Sequence, residues 1–319
     1  MLTFRFLIAA VLVGSASLAL AQAWPQKPVR VVVPYAAGGN TDSQARIASE
    51  RLTSVFGQPF LVENRVGGSG MVAAELVAKA APDGYTLFFC AVPQISIVPH
   101  VQKLGFEPRK DLVPISVVGI SANIIGVHRA VPARSLQEFV DYAKSRPGKL
   151  NYATGGAGTF GHLATALFLI RAGLEMTHVP YKGGAQATTD LVGGQVQMYF
   201  GNAAELIPQA RTGKVLLLGV SSPQRNVQIP DVPALAETYP GFALVAWNGY
   251  MAPAGTPAEI VDRIAQEVGK AVRDPTIAER LTKLGIDPLG NTPAQFAEMI
   301  RSEETLYRDA VKAANLRAE

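Results

Sequence analysis

VRVVVPYAAGGNTD, residues 29–42, decides the fold. Its first five residues are valines apart from Arg30, the composition of a short strand buried on both faces. Pro34 and Tyr35 end the strand. Ala36, Ala37, Gly38 and Gly39 follow as a loop with little side-chain bulk. Asn40, Thr41 and Asp42 are residue types that cap helices, and they predict a helix from about Ser43 to Val55. A helix start carries unpaired N–H groups and a partial positive charge, and glycines let a ligand approach the backbone. The stretch is either an ordinary strand-to-helix turn or one wall of a pocket for negative charge.

The same unit recurs. Phe60 to Glu63 reads as a strand, Val66 to Gly70 as a bare loop, and Met71 to Ala80 as a helix. Pro82-Asp83-Gly84 is a turn signal, and Thr86 to Cys90 a third strand. Val113 to Gly119 and Ile124 to His128 are apolar and strand-like. A second series begins at Ser135. It has strands at 150–154, 177–180, 196–200 and 215–220, with glycine-rich loops at 155–161, 183–184 and 201–202. Alternating strands and helices predict two parallel sheets with helices on both faces, and ligands sit outside the carboxyl ends of such strands. Two sheets facing each other imply a cleft lined by loops from both. From Asp231 the chain reads as mostly helical. Ile260, Ile264, Val268 and Val272 mark one apolar face, and Phe296, Met299, Ile300, Leu306, Tyr307, Ala310 and Val311 another.

The chain has 319 residues, nearly half of them hydrophobic, and a net charge of +4. A proper core is available. The small basic excess is spread out, with no basic–aromatic patch, which argues against a nucleic-acid partner. Residues 1–23 read as an export signal. Arg5 is its positive end, Phe6 to Val13 its apolar core, and cleavage is expected after Ala21 or Ala23. The mature protein is expected in the periplasm. Cys90 stands alone, which excludes an internal disulfide, and the four histidines lack metal-ligand spacing, so neither a metal nor a cofactor is expected.

Several motifs carry a sharper and a plainer reading. Gly156 to Gly161 matches G-x-G-x-x-G after a strand, but no acid follows the next strand to hold a ribose. An anion-binding loop fits better than a dinucleotide site. Gly67-Gly68-Ser69-Gly70-Met71 falls one glycine short of a nucleophile elbow. An exported hydrolase using Cys90 or Ser69 with His162 is the competing class. His162 either donates to a ligand carboxylate or satisfies backbone. Asp42 and Asp190, each read near a helix N-terminus, either cap or touch a ligand. Asn202 either caps its helix or binds.

Residues 31–39, VVVPYAAGG, with Asp42 after them, resemble the first signature of a known family. Residues 62–70, VENRVGGSG, resemble the second, and Asn151 to Gly155 with Gly161-His162-Leu163 the third. HVPYKGG at 178–184 and DLVGGQV at 190–196 are similar to the fourth; PDVP at 230–233 and APAGTP at 252–257 fit as well. These are marks of the Bug (TctC-type) periplasmic solute-binding proteins of tripartite tricarboxylate transporters. The resemblance covers nearly the whole mature chain in order.

It implies an α/β, two-domain Venus flytrap, each domain a mainly parallel sheet flanked by helices. Domain 1 would be 24–121 plus 242–319, and domain 2 would be 122–241. It implies capture of a small carboxylate (a di- or tricarboxylate, an aromatic acid or an amino acid) without catalysis. The partners would be the membrane subunits of a transporter or a sensor kinase, and the protein would act as a monomer. The implied ligand residues are Tyr35, Ala37, Gly38, Gly39 and Asp42 on the first loop. Thr154, Gly155, Gly158, Thr159 and His162 would lie on the second, and Gly184 and Ala185 on the third. Gly68, Val92, Pro93, Asp190 and Asn202 complete the set of candidates from this sequence's own residues, beyond what the resemblance carries over. Two departures stand out. Cys90 to Gln94 replaces a small polar loop, giving a less polar wall suited to an aromatic or longer aliphatic acid. Gln197 stands where the family commonly has Asp, outside the expected cleft.

Overall fold

The computed structural model describes residues 24–314. The export signal read in 1–23, with its cleavage sites, lies outside the described residues. Strand β1 (Val29–Val33) leads through the quoted loop into α1 (Asn40–Phe56). β2 (Phe60–Asn64), α2 (Met71–Ala78) and β3 (Thr86–Ala91) follow. β1 pairs parallel with both β2 and β3. Its four valines are fully buried, each contributing roughly 1.5–3 kcal/mol of burial. β4 (Leu112–Ser121) runs through the single residue Ala122 into β5 (Asn123–His128) of a second sheet.

The second sheet collects α3 (Leu136–Lys144), β6 (Asn151–Thr154), α4 (Phe160–Ala172), β7 (Thr177–Pro180), α5 (Gly184–Val192), β8 (Met198–Asn202), α6 (Ala203–Arg211) and β9 (Val215–Val220). The chain then returns to the first sheet as β10 (Ala246–Pro253) and continues through α7 (Ala258–Arg273), α8 (Pro275–Lys283), β11 (Asp287–Pro288) and α9 (Pro293–Ala313). The strand orders are β11-β4-β10-β3-β1-β2 and β7-β6-β8-β5-β9.

The sheets depart from the expectation of mainly parallel pairing. β10 is antiparallel to β3 and β4, and β5 is antiparallel to β8 and β9. The reason lies in the direction of travel. Strands of the β-α units end at the cleft between the sheets, whereas β5 and β10 begin there, having just crossed from the other side.

The crossing is stitched by hydrogen bonds. Ser221 N donates to Asn123 O (2.9 Å), Asn123 N donates to Ser221 Oγ (2.9 Å), and Ser221 Oγ donates to Leu244 O (2.6 Å). α7 buries its predicted stripe. α9 buries most of its own, but Leu306 faces solvent.

Candidate ligand-binding site

Helix α1 starts earlier than its capping residues suggest. Its N-cap is Gly39, extended at φ −78° and ψ 174°, and no side chain caps it. The first helical bond runs from Ser43 N to Gly39 O (2.9 Å). Asp42 turns away from capping. Its carboxylate accepts from Gly38 N (2.9 Å), Arg46 Nε (2.9 Å) and Asn64 Nδ2 (2.8 Å). Burial alone would raise the Asp42 pKa, but these three donors together hold it below the usual carboxylate range. Asp42 is therefore buried behind the loop and shapes it, while the first-turn N–H groups remain without a capping side chain.

Two further side chains brace this wall. Buried Gln94 joins Tyr35 after β1, the short turn ahead of α2, and the end of β3. Its Nε2 donates to Tyr35 Oη (3.0 Å) and Ser69 O (2.9 Å), and its Oε1 accepts from Ala91 N (3.0 Å). Asn248 on β10 donates to Thr41 Oγ1 (3.1 Å) and accepts from Gln44 Nε2 (2.8 Å), fixing the first turn of α1 against the sheet.

The two loops expected from the second sheet behave differently. Before α4, the loop is closed on itself. Thr159 Oγ1 caps the helix by accepting from His162 N (3.3 Å), and His162 Nδ1 accepts from Gly158 N (3.2 Å). Thr154 Oγ1 accepts from Gly156 N (3.2 Å) and bonds His178 Nε2 (2.7 Å). His162 stacks on His178 with ring centres 4.2 Å apart. Burial, with the neighbouring His178, pushes the His162 pKa down to about 4, so it serves as a neutral acceptor. Before α5, by contrast, Gly183 is the N-cap and no side chain caps the helix. The second open helix N-terminus is thus α5, not α4.

Both open ends line one cavity of about 490 Å³ between the sheets. From the first sheet, Tyr35, Ala37, Gly38, Gly39, Val92 and Pro93 line it, as do Asn40 and Thr41. From the second come Gly155, Thr159, Gly184, Ala185 and Asn202. Six predicted residues stand outside the lining: Asp42, Gly68, Thr154, Gly158, His162 and Asp190. Four of these hold or belong to loops from behind, as described. Gly68 lies in a short turn ahead of α2. Asp190 lies in the last turn of α5, not near its N-terminus as the sequence suggests, and accepts from Tyr181 Oη (2.7 Å).

The hydrolase constellations are not assembled. Cys90 is fully buried, its thiol donates to Gly249 O (3.3 Å), and burial pushes its pKa up. Ser69 Oγ donates to Ala157 O (3.2 Å), and the Nδ1 of His162 is taken by Gly158.

Residues 44–316 match the family described as "Tripartite tricarboxylate transporter family receptor". The chain belongs to this family. Three solved structures of similar chains have the same architecture. The periplasmic binding protein BugD is 31% identical with a TM-score of 0.85, over 93% of this chain and 100% of that one. Rpa4515 of R. palustris, solved with adipate, is 32% identical with a TM-score of 0.88, over 92% of this chain and 99% of its own. MatC of Rhodopseudomonas palustris, solved with bound malate, is 33% identical with a TM-score of 0.84, over 90% and 100%. The α/β flytrap of this receptor is therefore that of the TctC/Bug periplasmic binding proteins.

Sequence reasoning missed Gln94, Asn248 and Glu205 in this receptor. Gln94 and Asn248 sit in apolar runs where a lone amide reads as an exception, and their partners are distant in sequence. Glu205 did carry a signal: Asn202-Ala203-Ala204-Glu205 has capping-box spacing at a strand end, which places a carboxylate at the mouth of the loop. Among the described residues, Glu205 and exposed Lys182 are the formal charges lining the cavity.

Proposed function

We propose that this protein is a periplasmic receptor that captures a small carboxylated solute without altering it. A single observation carries the reading: two helix N-termini without capping side chains, at Gly39 and Gly183, open on one cavity. Peptide N–H groups in a dry cleft are strong anion donors, because the local dielectric is low and no side-chain entropy is lost. The wall of Val92, Pro93, Phe160 and Phe200 suits an aliphatic or aromatic body between carboxylates. Adipate and malate in two relatives support the class.

The two domains are 24–121 with 242–319, and 122–241. They close over the acid about the crossing strands at Ala122 and ahead of β10, and binding shifts the open–closed equilibrium. The closed monomer then presents its ligand to the membrane subunits of a tripartite tricarboxylate transporter or to a sensor kinase. No cofactor takes part.

A library of carboxylic acids tested by thermal shift checks the reading. One or a few acids are expected to raise Tm and to be recovered chemically unchanged. Conversion of the stabilising acid to a product would overturn it, and so would a library in which no acid stabilises.

A further inference from the structure

Glu205 stands at an unusual place for an anion-binding cleft. It lines the cavity from the first turn of α6, and its Oε2 accepts from Tyr199 Oη (2.7 Å) and from Asn202 N (3.3 Å). The whole carboxylate lies against the start of α5, Oε1 nearest: a Cβ built on Gly184 would lie 2.0 Å from Oε1 and 2.4 Å from Oε2. The carboxylate therefore occupies the neighbourhood of the open α5 N-terminus, where a ligand carboxylate would also gather.

We infer that Glu205 makes ligand capture proton-coupled: it stands as a carboxylate beside α5 in the ligand-free protein and takes up one proton when a ligand carboxylate arrives. The inference rests on the function proposed above. Two carboxylates sharing one dry site cannot both stay ionised. A proton from solvent adds to Oε1, no other bond changes, and the new O–H donates to the ligand. Oε2 keeps the two bonds that suit a carbonyl oxygen. Burial already raises the Glu205 pKa against the opposing bonds from Tyr199 and Asn202, so the protonated form lies within reach.

The surrounding groups leave this role to Glu205. On the elements packed against α6, Tyr199 of β8 bonds it directly and has its own pKa raised, mainly by burial. Asp190 of α5 is bonded by Tyr181, and His128 of β5 lies against Gly194. Lys182 shares the cavity lining.

The test is titration calorimetry of adipate, malate and glutamate in paired buffers of different ionisation heat, between about pH 6 and 8, where the free acids are ionised. Uptake approaching one proton per ligand is expected. Affinity should weaken with rising pH, by up to about tenfold per unit. Glu205→Gln keeps a donor toward the ligand and cannot ionise, so it should bind at least as tightly as the unmodified protein near pH 6 and more tightly at pH 8, and should lose both the uptake and the pH dependence. Asp190→Asn should behave as the unmodified protein.

Binding without proton uptake overturns this inference and leaves the receptor reading intact. Uptake that persists in Glu205→Gln, or a selective loss of glutamate in that variant, also overturns it; the latter would assign Glu205 to an ammonium group. Should the variant not fold, the uptake measured on the unmodified protein still decides. If none of the three acids binds, this inference falls for them, while the receptor reading is decided separately by the wider library of acids.

Discussion

Gly39 and Gly184 act at the residue scale for different reasons. Gly39 has ordinary extended dihedrals, so its value is the missing side chain at an N-cap. Gly39→Ser fits the same backbone and would place a hydroxyl on the first-turn N–H groups of α1. Thermal stability should hold or rise by a few tenths of a kcal/mol, while affinity for the acid falls at least about tenfold. Calorimetry beside a melting curve checks both, and unchanged affinity would remove α1 from the site. Gly184 is constrained by crowding. Its Cβ would enter the Glu205 carboxylate, itself held by Tyr199 and Asn202. Gly184→Ala should cost about 1–3 kcal/mol in denaturant unfolding and weaken binding with it. A neutral result would mean that Glu205 moves freely. The bare character of both loops was legible in the sequence. Which glycine caps a helix and which only passes through was not, because Asp42 could cap locally or reach back to Gly38, and distant Asn64 helps to decide.

At the scale of elements, the β-α units of both halves could be read from period and punctuation, and their ends fall within about three residues of the reading. β10 could not. Ala246 to Pro253 is a central strand covered on both faces, so it shows no alternation, and short apolar runs of that kind are ambiguous between strand and helix. Its register with β3 and β4 depends on residues more than a hundred positions away. The strand also ties α9 to the sheet. Trp247 Nε1 donates to Glu303 Oε2 (2.9 Å), and burial raises the Glu303 pKa to about 7 despite that bond. A carboxyl whose pKa rises on folding supports stability at low pH and loses that support as pH climbs through the folded value. Glu303→Gln keeps an acceptor for Trp247 and cannot ionise. It should match the parent near pH 5 and exceed it at pH 8, on the order of 1–3 kcal/mol, in urea melts at both values. Equal stability at pH 8 would show that Glu303 is solvated.

At the scale of the molecule, two sheets share one crossing and one cleft, and the rims touch where Ser69 Oγ meets Ala157 O. Ligand should favour this closed arrangement. Small-angle scattering is expected to show a smaller radius of gyration with saturating acid than without it. Ser69→Ala should move the ligand-free profile toward the open form, and identical profiles with and without acid would count against closure. The sequence showed that two series of loops must face each other. It could not show that the second uncapped helix start is that of α5, because Gly183-Gly184 looks no barer than Gly155-Gly156, and the difference lies in the bonds made by Thr154, Thr159 and His162. The uncapped ends have a consequence for descent. A clamp built from arginines is erased by one codon change. A clamp of peptide N–H groups is encoded by no particular side chain, and it survives every substitution that neither bends nor crowds the chain nor caps those groups. The cavity wall at Val92, Pro93 and Ala246 is made by other residues. Under the proposed function, holding an acid and choosing among acids thus fall to different residues, and a change in the wall can alter the preferred acid without removing the hold.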